Sequence, residues 1–319
     1  MSEPISVLPR PGGSASPPRG SARHGLLPLR RLRAVATPLL LLLPAAAILG
    51  WLMVWPAIDA VHLAFTSWDG FSAPKGVGLE NFSDLLHDRH FKEALLHNLA
   101  IVAAMPVWIG LPYGVAWALH RKVPGWRFFR FAFFLPVVLS PVVIGVYYGI
   151  VLKPDGPFND LLSSVGLGFL GAEWLNDPSL TLIVVIAIII WSTFGIGVLV
   201  FLSGLSALDT EQVDAAKVDG ASPWQVQRHV IFWQMLPVIE FWAVLIVIAS
   251  FTAFFPLIYT LTHGGPGYGT YTVDFDLYQE AFSSGRLGYA AAIGVVLVAV
   301  IALVGAVVLA ALRLRRRAA

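Results

Sequence analysis

Few residues in this sequence have a type and spacing that could perform chemistry. Residues 166–171 match the GxGxxG pattern of dinucleotide sites, but such a site needs a preceding strand and a following helix. This stretch lies between two long apolar runs, so we interpret it as a flexible loop. His87 and His90 could share a helix face and bind a metal ion, but no third ligand accompanies them at a suitable spacing. We therefore expect no catalytic, cofactor-binding or metal-binding residues in this chain.

Other reaction classes lack the residues that they need. The sequence contains no cysteine, which excludes disulfides, zinc–thiolate sites and cysteine nucleophiles. It has no GxxxxGK[ST] phosphate loop, so we do not expect the chain itself to hydrolyse ATP. It also lacks a basic stripe with interleaved aromatic residues, which argues against nucleic acid as a partner.

The most informative stretch is a polar segment, residues 208–225, between two long apolar runs. Its first half reads as a short helix. Asp209 or Thr210 can cap its start, and Gln212 is placed as a capping-box partner of Asp209. Gly220 can adopt the left-handed conformation that ends a helix without a steric clash of a β-carbon.

The second half of this segment reads as another short helix. Ser222 can cap it, Pro223 fits its first turn, and Gln225 completes a second capping box. The residues at the corner between the two helices are small, so a partner could approach closely. They are Ala215, Ala216, Gly220 and Ala221.

The segment Asp214-Ala215-Ala216-Lys217-Val218-Asp219-Gly220 resembles the EAA loop of bacterial ABC-importer permeases, with an aspartate where the family has glutamate. Residues 65–71 and 77–82 resemble the first periplasmic loop of the carbohydrate branch, the MalF/UgpA-like permeases. Residues 262–266 and 288–292 resemble its last loop and last helix. The resemblance implies that one group of residues transmits movement to and from an ATPase: Asp214, Ala215, Ala216, Asp219, Gly220 and Ala221.

This resemblance also implies a fold, a mechanism and a set of partners. The fold is the six-helix MalF/UgpA-like (MetI-like) permease, and the mechanism is import of a sugar or related polyol by alternating access. The implied partners are a second homologous permease, two ATP-binding cassette subunits and an external solute-binding protein. ATP and Mg²⁺ are used by the ATPase subunits, and this chain is expected to bind no cofactor.

The composition independently predicts an all-α integral membrane protein. Apolar residues make up 57% of the chain and charged residues 13%, against about 25% charged residues in soluble domains. A spanning helix needs roughly 20 mostly apolar residues. Six runs qualify: Val35–Val61, Ala94–Leu119, Phe131–Leu152, Leu180–Leu205, Pro237–Leu261 and Leu287–Leu312.

The distribution of basic residues predicts the orientation of these spans. Sixteen of the 21 lysine and arginine residues lie on one side if both termini are cytoplasmic. We therefore expect residues 208–234 to form a cytoplasmic coupling loop in a multi-pass protein of the bacterial plasma membrane. Residues 1–33, rich in Ser, Pro, Gly and Arg, are expected to be a disordered basic tail. Residues 34–317 form the predicted permease domain.

Polar and aromatic residues within the spans are the candidate substrate contacts. Aromatic faces and hydroxyl groups suit a sugar, and in MalF-like relatives the fourth-span segment that Trp191–Ile196 match lines the sugar pocket. The alternative is that the hydroxyl groups bond their own helices and that Trp191 packs against neighbours. The candidates are Trp191, Thr193, Ile196, Ser250, Thr252 and Tyr259.

Other function classes remain as alternatives. An ion-coupled secondary transporter or a channel would need ionisable residues at membrane mid-depth, and the spans contain almost none. A membrane-bound enzyme would need a catalytic constellation. An ABC permease for a non-sugar solute is a closer alternative, because the acidic residue common in the family's fifth helix is replaced near Pro256.

Overall fold

The structure is a computed structural model that describes residues 40–318, with side chains through residue 314. The predicted disordered tail, residues 1–33, lies outside the described residues. The chain divides into two compact units after Ala57. In the first unit the described residues form the beginning of helix α1, Leu40–Leu63, which continues into the second unit.

The described part of the second unit is mostly helical. A short antiparallel hairpin follows α1 and pairs β1 (Thr66–Ser67) with β2 (Lys75–Gly76). The remaining helices, numbered in chain order, are α2 Glu80–His87, α3 Arg89–Ala103, α4 Met105–His120, α5 Trp126–Phe134, α6 Pro141–Val151, α7 Pro157–Ser164, α8 Thr181–Ser206, α9 Thr210–Val218, α10 Pro223–Val226, α11 Phe232–Thr252, α12 Phe255–Leu261, α13 Val273–Tyr278 and α14 Leu287–Ala318.

Among the described residues, five helical segments are long and apolar enough to cross a membrane: Leu40–Leu63, Arg89–His120, Thr181–Ser206, Pro223–Thr252 and Leu287–Leu314. The predicted third span, Phe131–Leu152, is not one continuous helix. It is a broken pair, Trp126–Val138 and Pro141–Val151, bent by 98°. The break occurs because Pro141 disfavours a helical conformation at Ser140, whose backbone is extended.

The predicted boundaries of the fifth span, Pro237–Leu261, were wrong at both ends. The helix begins fourteen residues earlier, at the capped Pro223, and continues through a π turn at Gln227–Ile231 to Thr252. Pro237 lies inside it. The helix ends at Thr252 because Pro256 occupies the first turn of the next helix, α12, where the missing N–H is tolerated.

The core of the second unit lies where α4, α8 and α11 pack together. Gly197 permits a close approach: a β-carbon there would lie 3.0 Å from Cβ of Pro112. Asn98 is fully buried and joins three helices. Its amide donates to the Ser250 carbonyl, and its Oδ1 accepts a 2.9 Å hydrogen bond from the Val273 N–H.

Candidate functional site

The candidate coupling loop begins with a capped helix, α9. Asp209 Oδ1 accepts a 3.0 Å hydrogen bond from the Glu211 N–H, which confirms Asp209 rather than Thr210 as the cap. Gln212 does not complete the predicted capping box. Its side chain instead donates to Asp209 Oδ2 at 3.1 Å. Side chains of the segment itself therefore hold part of the start of α9.

The end of α9 forms the left-handed corner that the sequence predicted. Gly220 has φ +83°. Its N–H donates to the Lys217 carbonyl, and the Ala221 N–H donates to the Ala216 carbonyl, both at 3.0 Å. This pair of bonds defines a Schellman cap. A β-carbon at Gly220 would meet nothing within 4 Å, so within this chain glycine is required by the backbone conformation alone.

The second helix of the loop starts as predicted but is not short. Ser222 and Gln225 form a complete capping box, and Pro223 occupies the first turn. This helix, α10, continues into α11, so Pro223–Thr252 is one helical rod of 30 residues. The predicted loop, residues 208–234, thus contains one short helix and the first turns of a spanning helix.

The corner presents small and apolar groups to solvent. Val218 is 87% exposed and Trp224 is 68% exposed. Asp214 and Lys217 form a 2.7 Å ion pair, which contributes little stability because both side chains are exposed. A shallow cavity of about 370 Å³ lies at the corner and is lined by Ala216, Asp219, Gly220, Ala221, Gln225, Val226, His229 and Val230.

Two glutamines that the sequence analysis did not single out connect this loop to the spanning helices. Gln227 donates a 2.6 Å hydrogen bond to the Tyr113 hydroxyl on α4. Gln234 accepts a 3.0 Å bond from the Asp209 N–H and donates to Gln212 Oε1 at 3.2 Å. Their role could have been suspected from the sequence. Both are isolated amides beside a long apolar run, and an amide needs a hydrogen-bond partner when it is buried.

The candidate substrate residues on α8 contact neighbouring helices. The Trp191 ring is 38% exposed and packs edge-on against Tyr148 of α6, with centroids 5.4 Å apart. Thr193 Oγ1 accepts a 2.8 Å bond from Trp108 Nε1 and donates to the Ile189 carbonyl. Ile196 is 40% exposed. The hydroxyl of Thr193 therefore has a structural role, whereas Trp191 and Ile196 keep exposed apolar surface.

The remaining candidates lie on α11 and α12. Ser250 is buried and Thr252 is exposed, and each hydroxyl donates to the carbonyl four residues earlier. Tyr259 is 38% exposed and packs in an aromatic cluster with Phe255 and Tyr278. Helix α6 packs against α12 and carries Tyr148, so it links the α12 candidates to those on α8.

The two histidines considered as metal ligands do not share a helix. Asp88 separates α2 from α3 and accepts a 2.8 Å bond from the His90 N–H. His90 instead packs on the Tyr268 ring, with centroids 4.3 Å apart. Within residues 40–314, no three His, Asp or Glu side chains are arranged to hold a metal ion. Residues 166–171 lie between α7 and α8, as a loop with a short 3₁₀ turn.

Comparison with known families identifies the class of this protein. Residues 110–318 match the family described as the inner membrane component of binding-protein-dependent transport systems. A probable ABC transporter permease of Pyrococcus horikoshii is 32% identical over 84% of this chain and 93% of its own length. The chain therefore belongs to this family of membrane transport subunits, as its resemblance to ABC permeases predicted.

A named relative and a solved structure extend the comparison. The multiple sugar-binding transport system permease MsmF of Streptococcus mutans is 32% identical over 78% of this chain and 86% of its own. The crystal structure of a bacterial importer of the acidic polysaccharide alginate matches with a TM-score of 0.73 and 20% identity, over 90% of this chain and 98% of that one. This match confirms the predicted MetI-like permease fold.

Proposed function

We propose that this chain is one of two permease subunits of an ATP-driven sugar importer. In this proposal an external binding protein delivers the solute, and the paired permeases pass it to the cytoplasm by alternating access. The exposed helix–glycine–helix corner at residues 209–225 carries the proposal, because it presents a compact surface to a separate partner. Family membership supports the same role.

The proposed partners at the corner are two ATP-binding cassette subunits, which use ATP and Mg²⁺. Asp214, Ala215, Ala216, Asp219, Gly220 and Ala221 form the proposed coupling surface. The small residues allow close approach, and the exposed Val218 and Trp224 side chains would be buried on docking. The basic-residue bias supports a cytoplasmic location for this loop and for both termini.

The proposed solute is an uncharged or weakly charged carbohydrate. The spans have few ionisable residues, and a strongly charged solute in a dry cavity would need a countercharge. The proposed contacts are Trp191, Thr193, Ile196, Ser250, Thr252 and Tyr259, among which the exposed rings of Trp191 and Tyr259 suit a sugar face. The name of the MsmF relative supports a sugar as the solute. The structural neighbour imports alginate, which is also a carbohydrate but an acidic one.

The proposal is tested by reconstituting the complete transporter in vesicles. The chain is copurified with its partner permease, ATPases and binding protein, and the binding protein is screened against mono- and oligosaccharides. We expect ATP-dependent uptake of a sugar that the binding protein retains. Uptake that follows an ion gradient without ATP would contradict the importer class, and retention of an amino acid or a phosphate ester alone would contradict the solute class.

A further inference from the structure

The helix α13 buries a carboxylate that has no complete set of partners. Asp276 is 2% exposed, and its Oδ2 is buried without a hydrogen-bond partner. This residue lies between the last two spanning segments, at the end of the spanning helix Pro223–Thr252 that is opposite to the corner at residues 209–225. A buried carboxylate oxygen without a partner is costly, so Asp276 requires an explanation.

Two further carboxylates increase the negative charge around Asp276. Asp88 lies at the start of α3, and its Oδ2 accepts a 2.9 Å bond from the Tyr289 hydroxyl. Glu280, four residues after Asp276, forms a 2.6 Å ion pair with Arg286. Both carboxylates act on Asp276 as like charges. One guanidinium thus faces three carboxylates, and two histidine rings, His90 and His263, also line this space.

These groups line a cavity of about 550 Å³, a volume in the range of small-molecule sites. Aromatic rings form much of its wall. Tyr268 packs against His90 at 4.3 Å and against Tyr271 at 5.2 Å, and Tyr271 packs against Phe275 at 4.9 Å between centroids. Aromatic faces attract organic cations through the ring quadrupole, and here the rings and the carboxylates line the same cavity.

We propose that this cavity binds a small organic ammonium ion. The three carboxylates of Asp88, Asp276 and Glu280 exceed the single charge of Arg286, and a bound ammonium would reduce this excess. Within residues 40–314 the acidic groups lack a metal-binding arrangement, which favours an organic cation over a metal ion. The site is separate from the coupling loop, and its test is direct binding, which does not depend on the transported solute.

Burial, followed by repulsion from Asp88 and Glu280, raises the pKa of Asp276 to about 7. Asp276 must lose its proton to attract a cation fully. A cation whose charge is independent of pH should therefore bind more tightly as pH rises through 7. Between pH 6 and pH 8 the ionised fraction of Asp276 increases about tenfold, so the apparent affinity should increase by about the same factor.

The test uses the full chain in lipid nanodiscs and choline, whose quaternary ammonium is charged at every pH. The matched neutral ligand is 3,3-dimethylbutan-1-ol. We expect calorimetry to detect choline binding at pH 8, weaker binding at pH 6, and little binding of the neutral alcohol. Equal binding of the two ligands, or no choline binding at pH 8, would overturn the proposal.

Two variants test the role of Asp276 itself. Asp276→Asn keeps the shape of the side chain and removes its charge, so we expect choline affinity to fall at pH 8 and the pH dependence to disappear. Asp160→Asn makes the same charge change at an exposed position on α7 and should bind choline like the parent chain. If Asp276→Asn does not fold, the preference of the parent chain for choline over the neutral alcohol decides the matter, and equal affinities contradict the proposal.

Discussion

Gln234 lies on α11 and connects the spanning helix Pro223–Thr252 to the start of the coupling loop, because its Oε1 accepts a 3.0 Å hydrogen bond from the Asp209 N–H. The same side chain donates to Gln212. The two ends of the loop are therefore connected directly, and α9 is attached to the base of α11 by more than the Gly220 corner. Movement of α9 should be transmitted to α11 through this contact.

Replacing Gln234 with leucine should weaken coupling without preventing assembly. Leucine removes both side-chain hydrogen bonds of Gln234, and the exposed bond from the Asp209 N–H alone is worth about 1 kcal/mol, which is about fivefold in an equilibrium constant. We expect ATP hydrolysis stimulated by the loaded binding protein to fall by about this factor in reconstituted vesicles. Gln234→Glu is the matched control, because it keeps the acceptor for the Asp209 N–H. Equal defects in both variants would mean that this bond does not transmit the movement.

Replacements of Gly220 should separate backbone conformation from size. Gly220 has φ +83° with open space around it, and a β-branched residue in this region costs about 1 kcal/mol or more. Asparagine tolerates the left-handed conformation. We expect Gly220→Val to abolish copurification of the ATPase, and Gly220→Asn to retain it in part. Normal sugar uptake by Gly220→Val would contradict the coupling role of this residue.

Single cysteines should report the orientation of the chain, since it has no native cysteine. Lys217→Cys is placed in the coupling loop, and Phe71→Cys replaces a side chain that is 98% exposed in the loop after α1. With the expected orientation, an impermeant maleimide added to intact cells should label Phe71→Cys and not Lys217→Cys. Both should be labelled in lysed cells. The reverse pattern would place the coupling loop outside.

Two variants on α8 should differ in their effects. Trp191→Ala removes an exposed ring, so we expect weaker uptake with unchanged assembly and unchanged affinity of the binding protein for its sugar. Thr193→Val leaves the buried Trp108 N–H without its acceptor, so it should destabilise the fold by about 1–3 kcal/mol. Thermal unfolding in detergent and uptake kinetics distinguish the two. Unchanged uptake by Trp191→Ala would remove this ring from the solute pathway.

The stability of the chain should depend on pH through Asp276. Its pKa is raised from 3.8 to about 7, chiefly by burial, so the folded state binds a proton more tightly than the unfolded state. This contribution therefore decreases as pH rises from about 4 to about 7. We expect the melting temperature of the parent chain to fall over this range relative to that of Asp276→Asn. A constant difference between the two would contradict the raised pKa.

The corner of the coupling loop could be predicted from sequence because local rules determine it. A glycine after a helix, and a Ser-Pro-x-Gln start, encode conformations through interactions within a few residues. Both predictions were confirmed at Gly220 and Ser222. The apolar runs were also predicted well: among the described residues, five of the six runs overlap single helices long enough to span a bilayer, and the third is a bent pair of helices.

The breaks within these runs were not accessible from hydropathy alone. Pro141 breaks its span, whereas Pro237 is accommodated inside a long helix, and no hydropathy value separates the two. The unmatched carboxylate of Asp276 was also missed, because it gains its acidic neighbour Asp88 from a segment 188 positions earlier. Such contacts depend on tertiary packing, which a local pattern does not contain.

The helical rod from Pro223 to Thr252, which includes a π turn at Gln227–Ile231, is long enough to act as a lever arm. Its 30 residues correspond to about 45 Å of length. A tilt of about 10° pivoting at one end would displace the other by about 8 Å, given that length. The far end is where Asn98 holds the Ser250 carbonyl and the Val273 N–H, three residues before Asp276. Under the proposed function, a small movement of an ATPase subunit against the Gly220 corner would thus become a larger movement at the other end of this helix, and a ligand bound near Asp276 would oppose it.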